Sequence, residues 1–237
     1  MDHAAGGHRP RDADARLAAG HRPAASGDRG GRGGAVTGHP SGRLAGEVRI
    51  IGGRWRRSRL PVGDVPGLRP TPDRVRETLF NWLGQDLSGC RCIDAFAGSG
   101  ALGFEAASRG AAEVVLIERA APLLRALHAN AQRLGAQTVR IVAGDALHAL
   151  AALPTGVWDG VFLDPPFDDA RHGGERLYAA ALGAAARLLR AGGWVYLEAP
   201  RAWSDADLQA LGWRLHRHLR AGAVHAHLLQ RADNAAP

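Results

Sequence analysis

The chain has no lysine: all 30 of its basic residues are arginine. It has one methionine, Met1, and two cysteines, Cys90 and Cys92, a single residue apart. That spacing suits neither a disulfide framework nor a four-ligand zinc site. The 11 histidines are scattered, with no paired acids to complete a metal constellation. No apolar run reaches the roughly 18 residues of a membrane span. Met1 to Pro10 lacks the apolar stretch of a signal peptide. A cytoplasmic, reducing setting is the default expectation. With 46% hydrophobic and 22% charged residues, a chain disordered throughout is excluded. Its 237 residues allow one domain plus a small appendage. The missing lysine, alongside abundant Ala and Gly, is read as genome composition.

The net charge of +7 is unevenly placed. Residues 1–46 carry seven Arg against four Asp, and residues 47–77 carry eight Arg against four acids. From residue 78 onward the chain is neutral, with fifteen of each sign. A basic segment ahead of a neutral domain points to a polyanionic partner bound more weakly as salt rises. For residues 1–46 the blander reading is solubility and composition bias.

Three regions follow: 1–46, 47–84 and 85–232. The first holds eleven Gly and only Met1, Leu17, Val36 and Leu44 as sizeable apolar side chains. It cannot bury enough surface to offset the entropy of ordering and reads as a disordered tail. A start site assigned too early, with initiation nearer Val36 or Leu44, is an alternative for it. In 47–84, Val48–Ile51 and Arg54–Leu60 read as two strands around Gly52-Gly53. Thr71 reads as an N-cap with Pro72 at the first helical position, and Val75, Leu79, Trp82 and Leu83 follow at helical spacing.

From Cys90 the pattern is alternating strand and helix. Strands are expected at 91–96, 113–118, 139–143, 158–163 and 194–199, with helices at 100–109, 120–134, 146–152 and 175–190. Short apolar runs such as Val114-Val115-Leu116-Ile117 suit strands buried on both faces. This predicts an α/β fold with a mostly parallel sheet and helices on both faces. A helix near 204–211 and strands near 213–220 and 224–230 follow, the last two antiparallel around Gly222. The sheet then has seven strands with an antiparallel last strand, plus an N-terminal hairpin and helix.

Ligands of open parallel sheets bind beyond the carboxyl ends of the strands. Asp94-Ala95-Phe96-Ala97-Gly98-Ser99-Gly100 follows the first such strand and opens a helix. Its glycines let backbone approach a ligand and expose N–H groups. Asp94 before the turn would repel a pyrophosphate but could hold an ammonium. That favours a ligand with an amino-acid end, such as S-adenosylmethionine, over a plain dinucleotide. Glu118 ends the second strand about 20 residues on, where an acid bonds both ribose hydroxyls. Asp145 follows the third strand and can accept from an adenine amine beside the Ala146 N–H. An ordinary N-cap role for Asp145 is compatible with that.

Asp164-Pro165-Pro166-Phe167 follows the fourth strand. Two prolines stiffen the chain and leave carbonyl oxygens without local N–H partners. Asp164 and the Pro165 carbonyl can both accept from one planar NH₂, and Phe167 offers a ring for a flipped base. Holding an exocyclic amine by both hydrogens favours its passage to a tetrahedral, nucleophilic nitrogen. The loop is therefore expected to be catalytic, with proximity to an activated methyl doing much of the work.

Asp-x-Phe-x-Gly-x-Gly combined with Asp-Pro-Pro-Phe resembles the amino-group methyltransferases of class I Rossmann-like fold. More narrowly, Val48–Arg56, Gly67–Thr71, Asp73–Leu83 and Phe96–Gly103 are similar to the RsmD family, from about Glu47 to Arg231. The resemblance implies an S-adenosylmethionine-dependent enzyme that methylates guanine N2 in 16S ribosomal RNA packaged with ribosomal proteins, usually as a monomer. It implies that Arg69, Pro70 and Thr71 lie beside the cofactor's amino-acid end. It also implies that Phe96, Gly98 and Gly100 belong to the cofactor turn, and that Arg49, Arg54, Arg56 and Arg74 face RNA. Ala120 stands where that family's second acid after Glu118 is expected. No metal or membrane is implied. His225 and His227 read as edge-strand side chains.

Rival readings are a nicotinamide-dependent oxidoreductase, an adenine-N6 methyltransferase acting on DNA or RNA, and a non-catalytic RNA-binding assembly factor. The first leaves Asp94 and Asp-Pro-Pro-Phe without purpose. The second shares the loop and differs only in the N-terminal resemblance. The third is disfavoured by intact motifs at every strand end.

Overall fold

The computed structural model of the protein describes residues 44–65, 71–167 and 174–234. The expected tail lies outside the described residues apart from its last three, and Arg69 and Pro70 lie outside them too.

Strands β1 (Leu44–Arg49) and β2 (Arg59–Gly63) form an antiparallel pair, and α1 (Asp73–Trp82) follows. Then come β3 (Arg91–Asp94), α2 (Ala101–Ser108), β4 (Glu113–Glu118), α3 (Ala121–Leu134), β5 (Val139–Ala143) and α4 (Ala146–Ala151). The chain continues through β6 (Trp158–Leu163), α5 (Gly174–Leu188), β7 (Leu189–Ala199), α6 (Asp205–Ala210), β8 (Trp213–Ala221) and β9 (Val224–Arg231).

Seven strands join in the order β5-β4-β3-β6-β7-β9-β8. The first five pair in parallel, and β9 runs antiparallel to both β7 and β8. The direction of winding reverses between β3 and β6, which opens a crevice beyond the ends of those two strands. Asp94 and Asp164 stand on either side of it.

The pleat divides the core in two. Cys92, Leu116, Phe162 and Tyr196 pack under the hairpin and α1–α3. Ile93, Val115, Val161 and Leu197 pack under α4–α6 with Trp158 and Trp213. Each buried aliphatic side chain contributes about 1.5–3 kcal/mol. Asp94 pairs with Phe162, and Phe162 with Tyr196. One pleat further along, Asp164 and Glu198 therefore share the face that α1 covers.

The hairpin departs from expectation. Its second strand is Arg59–Gly63, not Arg54–Leu60. Residues 51–55 are committed to α2 instead: Arg54 N bonds Ser108 O (2.7 Å) and Trp55 N bonds Ser108 Oγ (2.9 Å). Gly53, at φ +71°, lies so close that a Cβ there would sit 2.0 Å from Ser108 O. Pro61 is tolerated in β2 because the strand is an edge. Two further boundaries move: β1 begins at Leu44, and β7 begins at Leu189, which pairs with Trp158 ahead of a bulge. His227 does not lie on an edge, since β9 sits between β7 and β8. Its ring is buried and accepts from Trp203 N (3.2 Å).

Candidate active site

Asp94 closes β3 at 1% exposure. Its Oδ2 accepts from Gly103 N at 2.9 Å, which ties the strand end to the first turn of α2. Burial pushes its carboxyl up to about 7, opposed by the Gly103 bond and reinforced by Glu118 and Glu198. A buried acid near neutrality, with Oδ1 free of that bond, suits a cationic group.

Gly98 and Gly100 adopt φ +52° and +77°, which favour glycine. At Gly100 a Cβ would also strike Phe104 (2.6 Å) and Leu127 (2.7 Å). Packing as well as conformation thus requires that glycine. Phe96 is half-buried against the α4–α6 core. Glu118 ends β4 and faces the turn: Oε2 accepts from Gly98 N, and Oε1 from Arg119 N and Ala120 N, at 2.7–2.8 Å. A carboxylate has about four acceptor positions, so roughly one remains for an outside hydroxyl. Asp145 caps α4, accepting from His148 N at 3.0 Å. Its other oxygen is free of that bond, and Ala146 beside it is buried.

At the fourth strand end, Asp164 and Phe167 are half-buried, Pro165 is buried and Pro166 is exposed. Thr71 is not the N-cap of α1. Pro72 takes that position without a side-chain cap, and α1 starts at Asp73. The Thr71 hydroxyl is turned into the crevice and donates to Asp164 Oδ2 at 3.4 Å. Loss of water and the charges of Glu198 and Asp94 raise Asp164 well above the usual carboxylate range, while Thr71 opposes the rise. The structure thus brings Asp94, Glu118, Asp164 and Thr71 to one crevice.

Glu198, missed in the sequence, belongs there as well. It is 2% exposed, and Tyr196 Oη donates to its Oε1 at 2.8 Å. Its signal was an acid one residue before the end of an apolar parallel strand, in register with Asp164. Missed too was the anchor of the N-terminal segment. Glu105 is fully buried in α2 and accepts from Ile51 N (2.8 Å), Gly52 N (2.7 Å), Arg109 (2.9 Å) and Arg76 (3.4 Å). Buried Arg76 also donates to Thr71 O, Arg49 O and Asp73.

The four arginines expected on RNA are all exposed and fall into two groups. Arg49 pairs with Asp73 (2.8 Å), and Arg74 lies in the first turn of α1, close to Thr71. Arg54 stacks over Trp55 (4.5 Å). Arg56 borders a polar cavity of about 490 Å³ with Gly53, Glu77, Asn81, Gln85 and Arg109. Because α2 leaves the carboxyl edge of the sheet at Gly100 and ends at Ser108, this second group sits at the opposite edge. Among the described residues no group of three or more His, Cys, Asp or Glu could hold a metal, and no helix is long and apolar enough to cross a membrane.

The family model described as Conserved hypothetical protein 95 matches residues 48–230. The chain is similar to ribosomal RNA small subunit methyltransferase D of Escherichia coli (strain K12), 42% identical over 198 residues, 81% of this chain and 94% of the relative. Over 125 residues it is 46% identical to the protein of the same name from Haemophilus influenzae, spanning 52% of this chain and 65% of the relative. The solved yhhF chain of Escherichia coli superposes with a TM-score of 0.64 at 42% identity, covering 78% of this chain and 98% of that one.

Proposed function

The chain belongs to the Conserved hypothetical protein 95 family, which includes ribosomal RNA small subunit methyltransferase D, and from that premise we propose that it is an S-adenosylmethionine-dependent methyltransferase acting on the N2 amine of a guanine in 16S ribosomal RNA. The observation that carries the reading is the crevice between β3 and β6, where a half-buried Asp-Pro-Pro-Phe corner faces a buried Asp94 and a glycine turn.

The donor set fits the cofactor. Asp94 would hold its ammonium, Glu118 a ribose hydroxyl, and Asp145 with Ala146 N–H the adenine. Gly98 and Gly100 would shape the turn that receives it, and Thr71 would lie at its amino-acid end, where Arg69, outside the described residues, is expected as well. When bound, S-adenosylmethionine supplies a methyl group activated by a sulfonium. The protein's own residues do the rest. Asp164 and the Pro165 carbonyl accept the two N–H groups of the target amine, Pro166 stiffens the corner, and Phe167 stacks the flipped base. Arg49, Arg54, Arg56 and Arg74 contact phosphates. The substrate is RNA of an assembling small subunit in the cytoplasm, and the enzyme acts as a monomer.

Asp164→Ala should lower kcat by about 10²-fold or more while S-adenosylhomocysteine affinity holds. A fully active variant would overturn the mechanism. Mass spectrometry of ribosomal RNA nucleosides from cells lacking the gene should show the loss of one N2-methylguanosine.

A further inference from the structure

We propose that Glu198 is a positioning residue for this reaction: fixed beside Asp164 by its strand register and the Tyr196 hydroxyl, its carboxylate makes Asp164 the acceptor of the proton that the methylated amine sheds. The inference rests on the methyltransferase reading and deepens it.

Four observations place the pair. Leu163 pairs with Leu197 in parallel register, so Asp164 and Glu198 follow side by side. Both point to the face covered by α1, because Phe162 and Tyr196, one pleat back, pack in that core. Glu198 is almost wholly buried and keeps one firm donor, the Tyr196 hydroxyl at 2.8 Å. The Thr71 hydroxyl donates to Asp164 Oδ2 at 3.4 Å, which fixes the Asp164 side of the pair. Among the described residues no cation pairs with Glu198, and a buried carboxylate without one is costly to keep.

The groups around the pair come from every neighbouring element. Asp94 lies on β3 with Glu118 beyond it, Tyr196 on β7 itself, and Tyr178 on α5. Arg76 of α1 bonds the Thr71 carbonyl, and its charge is already shared between Asp73 and Glu105. On β9 the residue opposite Glu198 is Ala226, and His227 pairs with Leu197 on the other face. Among the described residues the acids thus see chiefly one another. Like charges at close range raise proton affinity.

The proton step balances simply. After methylation the amine nitrogen carries one proton too many. That N–H bond breaks with its electron pair left on nitrogen, and an O–H bond forms on Asp164. Neighbouring Glu198 makes Asp164 basic enough to take the proton. Asp164 must be ionised at the outset, so activity rises with pH through its titration.

The test is the pH profile of kcat for Glu198→Gln, which keeps the shape and removes the charge. The acid limb should move to lower pH by about one unit, with the KM for cofactor unchanged well above pH 7, where Asp94 is ionised in both proteins. Tyr196→Phe, which leaves Glu198 less readily ionised, should move the limb the same way by less. It also serves if the Gln variant does not fold. In the free proteins, infrared titration of the carboxyl band should show the Asp164 step moving down with the limb. A limb and an infrared step both within about 0.2 units of wild type in either folded variant overturn the proposal. Failure of the functional reading looks different: wild-type enzyme would then leave ribosomal RNA unmethylated while the infrared coupling persisted.

Discussion

Asp94 has a proton to lose near neutrality, and that fixes the sign of a pH effect. Its folded-state value, about 7, lies above its ordinary 3.8. The folded chain therefore holds this proton more tightly than the unfolded one. Its contribution to stability is full below 3.8 and fades as pH rises toward 7. A ligand with an ammonium needs the ionised form. S-adenosylhomocysteine affinity should therefore climb about tenfold per unit up to pH 7 and then level off, with a proton released on binding below pH 7. Calorimetry in buffers of different ionisation enthalpy measures both. Asp94→Asn should bind weakly and without pH dependence. Strand-end acids such as Asp94 and Asp164 were legible in the sequence because each breaks an apolar run next to a glycine or proline turn. Glu198 was not, because it sits inside the strand with Ala199 between it and Pro200, and only the register with β6 reveals its company.

Among the elements, α2 bears the largest load. All eight of its residues are buried, Glu105 among them. Such a carboxylate survives there because two backbone N–H groups of the hairpin turn and two guanidinium groups surround it. Glu105→Ala should cost about 3–5 kcal/mol, since Arg109 and the Ile51 and Gly52 N–H groups would lose their buried acceptor and Arg76 would keep only Asp73 as a carboxylate partner. Urea unfolding reads the loss, and limited proteolysis should cut first between Ile50 and Ser58. The parallel strands and their helices were foreseen to within a few residues, because runs like Val114–Ile117 admit no other reading. The hairpin was misjudged because Arg54–Leu60 mimics a strand locally. Its true conformation answers to Ser108 and Glu105, more than 45 residues away in sequence.

Across the whole molecule, the proposed phosphate contacts lie at two edges of the sheet. Arg56→Ala and Arg74→Ala should each weaken RNA binding and reduce the slope of log affinity against log salt by about 1, leaving cofactor affinity alone. Filter binding across a salt series measures this. The eight residues of α2, at 1.5 Å each, separate the two edges by about 12 Å. The Glu105 anchor gives the hairpin no freedom to alter that interval. The enzyme then behaves as a caliper with fixed jaws. If the four arginines contact phosphates as proposed, a guanine in the right sequence but with its neighbouring backbone too near or too far would meet one jaw alone, and the folded shape of the RNA, as much as its letters, would select the base that is methylated.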